Sequence, residues 1–131
     1  MTLQVSSDVL YALLREARQA HPRECCGVLL GDTGAITELQ PATNVHAEPE
    51  TRFEIDPQAL IDAHRNARNG GPKVLGYYHS HPNGLARPSA RDEAMAQADG
   101  AIWAIIAAGS VSFWRLGAAG FAALPYEAAG R

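Results

Sequence analysis

The stretch Val74-Leu75-Gly76-Tyr77-Tyr78-His79-Ser80-His81-Pro82 decides the reading of this chain. Aliphatic and aromatic residues over 74–78 predict a strand that leads into the histidine pair, and Pro82 stops it. Successive strand side chains point to opposite faces, so His79 and His81 project together while Ser80 points away. Pro88-Ser89 opens a helix predicted to run to about Ala98, with Asp92 in its first turn. The connection 82–91 is long enough to fold Asp92 back toward the histidines. Two neutral imidazoles and one carboxylate supply three ligands for Zn2+, one ion per chain. A tetrahedral ion then keeps its fourth position for water, which marks a catalytic site and not a structural one. No cysteine stands at a spacing that would close the shell. A lone His-x-His says little; Ser89 and Asp92 in register make the pattern specific. Ser-x-x-Asp is also close to a capping box with Ser89 as N-cap, a role that does not exclude Asp92 from a metal.

Working outward, Val9, Leu10, Leu13, Leu14 and Ala17 recur at helical spacing behind a possible cap at Ser6 or Ser7, and Pro22 ends the helix. Cys25–Leu30 is a continuous apolar run suited to a buried strand, and 35–39 is its return after a turn at Gly31-Asp32 and Gly34. Residues 41–58 read as a long loop with a strand near 52–55. Asp56-Pro57 starts a second helix through about Asn69. Strands follow at 101–106, 111–116 and 121–124. The order is mixed α/β, with a central sheet and helices packed on it.

At 131 residues the chain has the length of one domain, 1–131, with about 126–131 as a short tail. Apolar residues at 47% and charged residues at 19% are a globular balance. The longest apolar run, 101–108, is too short to span a bilayer, and no signal peptide is visible at the N-terminus, so no membrane partner is expected. A net charge of −3 argues against a nucleic-acid partner. Cys25 and Cys26 are adjacent, a poor geometry for a disulfide, and point to a reduced, cytoplasmic protein.

His79-x-His81, seven residues, Ser89, two residues and Asp92 resemble the JAMM (MPN-plus) zinc metalloprotease family. Pro22-Arg-Glu-Cys-Cys-Gly-Val-Leu-Leu-Gly31 is similar to that family's glutamate region. The resemblance covers nearly the whole chain and is closest to short, stand-alone prokaryotic members. It implies a cytidine-deaminase-like α/β/α fold, a central mixed sheet flanked by helices. It implies a zinc-dependent peptidase or isopeptidase acting after the Gly-Gly tail of a ubiquitin-like or sulfur-carrier protein. Glu24, at the position of the family glutamate, is then the catalytic proton shuttle, and the Ser89 hydroxyl is a donor to the oxyanion.

Other readings stay open at this level. The same fold serves as a non-catalytic interaction scaffold where the metal site is lost. A deaminase would need His-x-Glu with Pro-Cys-x-x-Cys, and neither is present. The alternative for Glu24 is a solvated glutamate after a helix, since acidic residues are common at strand entrances and only the resemblance singles this one out. Cys25 and Cys26 read as small buried residues, with a metal-proximal thiol as the alternative. Trp103 and Trp114 read as core or sheet-face aromatics. His46 and His64 have no ligand-spaced partner. The 41–58 loop and 83–87 would flank the metal, with a Gly-Gly tail between them adding to 52–55 as a strand.

Overall fold

A computed structural model describes residues 2–130. Its elements are β1 (Leu3–Ser6), α1 (Ser7–Ala20), β2 (Cys26–Asp32), β3 (Ala35–Ala42), α2 (Pro57–Arg68), β4 (Lys73–Ser80), α3 (Ala90–Met95), β5 (Ile102–Ala107), β6 (Ser110–Gly117), β7 (Gly120–Ala123) and β8 (Tyr126–Ala129). One mixed sheet runs β7-β6-β5-β4-β2-β3-β1-β8. The pairs β4–β5, β1–β3 and β1–β8 are parallel and the remaining neighbours antiparallel. This is the mixed α/β sheet with flanking helices expected from the sequence.

The central strands separate two apolar layers. On one face Val9 and Leu13 of α1 pack on Leu29, Tyr78, Ala104, Ile106 and Phe113. Leu13 and Leu29 are fully buried, and each such side chain is worth about 1.5–3 kcal/mol of transfer free energy. The sheet curls round this helix: the Tyr126 hydroxyl donates to the Val111 carbonyl at 3.2 Å, and the Phe113 and Tyr126 rings lie 4.7 Å apart. On the other face Ala63 of α2 meets Val28 and Leu30. Beside it, Phe53 and Ile55 of the long loop meet Cys26 and Trp103. Gly76 lets β4 and β5 approach: a Cβ there would collide with the Ile102 carbonyl.

Several expectations need correction. Residues 126–129, read as a tail, form an edge strand, because β1 offers them a parallel partner from Leu3 to Ser6; Arg131 lies outside the described residues. β1 itself was not foreseen, since four residues are too few to show a period. No strand forms over 52–55, where a single bridge joins Asn44 to Ile55. The Asn44 side chain takes up the Arg52 carbonyl and the Glu54 N–H that a partner strand would have bonded. The helix expected to reach Ala98 stops at Met95. Among the described residues no helix is long and apolar enough to cross a membrane.

Candidate metal centre

β4 carries His79 within the strand and delivers His81 just beyond it. The strand ends are pinned from the opposite face: the Cys25 N–H donates to Ser80 Oγ at 2.8 Å, and the Ser80 N–H to the Cys25 carbonyl at 3.1 Å. The His81 N–H adds a bond to the Ile106 carbonyl at 2.9 Å. Ser80 therefore has a positioning task on the core side, consistent with the period-2 reading that set it aside from the chemistry.

Asp92 arrives from α3. Ser89 Oγ accepts the Asp92 N–H at 3.1 Å, and Asp92 Oδ2 accepts the Ser89 N–H at 2.8 Å. The capping box is thus real, and it holds the carboxylate toward the histidines. His79 Nε2 and His81 Nε2 are 3.0 Å apart. Asp92 Oδ1 lies 3.1 Å from His79 Nε2, and Asp92 Oδ2 lies 3.0 Å from His81 Nε2. All three side chains are buried.

This set fits a metal ion. Bonds of 2.0–2.1 Å in a tetrahedron place ligand atoms about 3.3 Å apart, close to the spacing seen. His81 Nδ1 lies 2.7 Å from the Leu85 carbonyl, so a neutral ring donates there and turns the Nε2 lone pair toward His79 and Asp92. Burial pushes the Asp92 carboxyl up, but hydrogen bonds from His79 and His81 outweigh it and hold the group well below the usual carboxylate range. Burial lowers His79. Burial also works against a proton on His81, but the bonds to Asp92 and the Leu85 carbonyl prevail and raise it. The lone pairs that attract a proton to this corner attract a cation equally.

Around the ligands the sheet face is aromatic. Phe53 stacks on His79 with ring centroids 4.3 Å apart, and Trp103 meets the same imidazole edge-on at 5.7 Å. Cys26 pairs in register with His79 but is buried, and burial pushes its thiol up to about 12 and that of Cys25 up to about 11. Both thiols stay protonated at neutral pH, which disfavours a nucleophilic or ligating role.

Glu24 stands at the entrance of β2. It is buried, and shares the wall of a cavity of about 420 Å³ with Ser89 and Asp92. It also shares a neighbouring cavity wall with His81 and Ser89. Burial pushes its carboxyl up to about 7, against the pull of His81. The five residues singled out from the sequence are thus brought together. Ser89 Oγ accepts one backbone N–H, which leaves its own O–H free to donate.

Other residues of the site were missed. Asn44 Nδ2 donates to the carbonyls of Glu24 at 3.0 Å and Arg52 at 2.9 Å, while Oδ1 accepts the N–H of His46 and of Glu54, each at 3.1 Å. The Glu24 N–H donates to the Pro49 carbonyl at 2.7 Å. One amide thereby ties Glu24 to both limbs of the long loop. His46 lines the Glu24 cavity and is half-buried, although it has no ligand-spaced partner in sequence. Arg91 reaches the Thr51 carbonyl at 3.3 Å and bridges α3 to the loop. The pairing of Asn44 with a loop rich in turn residues was the available clue; the contacts of His46 and Phe53 come from tertiary closure alone.

With this geometry in place, comparison with known proteins is decisive. The profile of the prokaryotic homologs of the JAB domain matches residues 6–117. The chain belongs to this prokaryotic JAB-domain family. The desampylase of Haloferax volcanii is 35% identical over 109 residues, covering 79% of this chain and 78% of that protein. The CysO-cysteine peptidase of Mycobacterium tuberculosis is 31% identical over 96 residues, covering 72% of this chain and 65% of the relative. A Desulfitobacterium hafniense protein solved in solution superposes with a TM-score of 0.86 at 27% identity, over 99% of this chain and 94% of the other. A JAB1/MPN domain protein of Archaeoglobus fulgidus shares the fold, with a TM-score of 0.62 at 21% identity over 96% of this chain and 97% of that one. The α/β/α arrangement is therefore the JAB/MPN fold.

Proposed function

We propose that this JAB-family chain is a zinc-dependent peptidase or isopeptidase. Its substrate is the amide bond that follows the C-terminal Gly-Gly tail of a ubiquitin-like or sulfur-carrier protein. The observation that carries the reading is the convergence of His79, His81 and Asp92 on one point, with buried Glu24 sharing one cavity wall with Asp92 and a neighbouring one with His81. A relative named desampylase and another named CysO-cysteine peptidase support the substrate class.

When bound, zinc lowers the pKa of a coordinated water to about 7 and polarises the scissile carbonyl. The chain's own residues supply the rest. Glu24, poised near neutrality by burial, takes the proton of the attacking water and passes it to the leaving amine. The Ser89 O–H, free of the cap, donates to the oxyanion. Phe53 and Trp103 clamp the His79 ring and keep that ring from solvent. The main chain of Arg52 and Glu54 is engaged with Asn44, Glu48 and Val45, so strand addition by the tail would use the Phe53 N–H and C=O, which face the other way in an extended segment. The intact ligand set weighs against a non-catalytic scaffold.

The test is mass spectrometry of carrier–peptide fusions incubated with the protein. Cleavage immediately after Gly-Gly, abolished by a chelator and restored by zinc, is expected. Intact fusions with zinc-loaded, folded protein would overturn the reading. In Glu24→Gln, turnover is expected to fall by about 10²–10⁴-fold with metal retained; full turnover would remove Glu24 from its role.

A further inference from the structure

A second cavity of about 430 Å³ lies beside the metal pocket, between α2, the end of α3 and the start of β5. Its walls are mainly apolar: Phe53, Ile55, Leu60, Tyr77, Ala96 and Trp103, with Glu54 and Asp99 also lining it. It shares Phe53, Glu54 and Met95 with the pocket that holds Glu24, Ser89 and Asp92. Two of its wall residues touch the imidazole ligand: the Phe53 ring stacks on His79 at 4.3 Å and Trp103 meets it edge-on at 5.7 Å. Met95, which lines both cavities, is 52% exposed and forms an adaptable apolar lip at their junction.

We propose that this cavity is the subsite for the first residue of the leaving group, and that it selects a large apolar side chain there. The inference rests on the hydrolase reading and deepens it. Two glycines before the scissile bond carry no side chain, and in extended form they push the next one roughly 7 Å back along the tail. The residue on the other side of the bond is the one that carries a side chain next to the reacting carbonyl, and the cavity adjoins the pocket of Glu24, Ser89 and Asp92 through Phe53, Glu54 and Met95. Its lining matches the usual pattern of a specificity pocket, apolar walls with few polar groups, and its volume admits leucine or phenylalanine. Glu54 and Asp99 set a penalty against an acidic residue in the same place.

The experiment compares carrier–Gly-Gly–X fusions in which X is Leu, Phe, Ala or Asp. A kcat/KM at least about tenfold higher for Leu and Phe than for Ala is expected, since burying such a side chain is worth about 1.5–3 kcal/mol, with Asp poorest. In Ala96→Trp, which fills the cavity, the Leu-to-Ala ratio falls toward one. A flat series in the wild type, or a ratio unmoved by Ala96→Trp, overturns the proposal. A second readout needs no catalysis: N-acetyl-leucinamide is titrated against metal-free protein while tryptophan fluorescence is followed. Saturable quenching that Ala96→Trp abolishes supports the subsite, and no saturable response overturns it. If no fusion is cleaved, the hydrolase reading fails while this titration still decides the cavity.

Discussion

The two sides of β4 are built from neighbouring residues and do opposite work. Tyr78 and Ser80 face α1. Tyr78 is fully buried and donates its hydroxyl to Glu16 at 2.8 Å, and Ser80 closes a backbone pair with Cys25. His79 and His81 face α2 and the long loop, where their nitrogens point at one another and at Asp92. Both faces bury polar atoms. On the α1 side each polar group named here finds a partner within the protein. On the loop side three acceptors converge on one point with fewer protons than lone pairs, an arrangement a cation completes. Covering one face with a helix and the other with a loop divides stability from chemistry along a single strand.

The strongest way to break this division is to remove a ligand. His79→Ala or Asp92→Ala is expected to lose bound metal and to bring fusion cleavage to background, with the far-ultraviolet spectrum of the fold kept. Retained metal in both variants would refute the ligand set. Next in size is Asn44→Ala. It frees the Glu24 backbone and both loop limbs, so kcat is expected to drop about 10–100-fold with metal content unchanged. A change confined to melting temperature would make Asn44 a fold residue only.

pH sharpens the comparison. In its proposed role Glu24 must be ionised to accept a proton, so kcat/KM is expected to rise with pH and then level off, with the bound cation bringing that rise below the value of about 7 that burial gives the metal-free protein. Its folded-state carboxyl lies above the ordinary value of 4.5, so its contribution to stability is fully present below that value. That contribution is lost as pH rises through about 7. Metal-free Glu24→Gln should therefore melt higher than metal-free wild type at about pH 8 and not at about pH 4. Equal melting at both values would remove the burial argument. The smallest effect belongs to the other face. Tyr78→Phe leaves the half-buried Glu16 carboxyl short of a donor and should cost about 1–2 kcal/mol in urea unfolding, with zinc content and turnover unaltered. Loss of metal in that variant would show the faces to be coupled.

Much of this division was legible beforehand. Period-2 alternation separates Ser80 from the histidines, and capping chemistry places Asp92 at a helix start. Both are local rules that act within a few residues. Glu24 needed the family likeness, because a glutamate before an apolar strand has no signature of its own. Asn44, Phe53 and His46 join the site only when the loop folds over the sheet, and no pattern along the chain encodes that closure. The false strand at 52–55 has the same origin: its β-prone residues are held by an asparagine side chain in place of a neighbouring strand. β8 was missed because its partner, β1, lies at the far end of the sequence.

Zinc analysis of wild type, Glu24→Gln and Asp92→Ala, purified alike and dialysed against limiting zinc, tests the central claim most directly. About one ion per chain is expected in the first two proteins and close to none in the third. A folded wild type that holds no zinc, or an Asp92→Ala protein that holds as much as wild type, would contradict it.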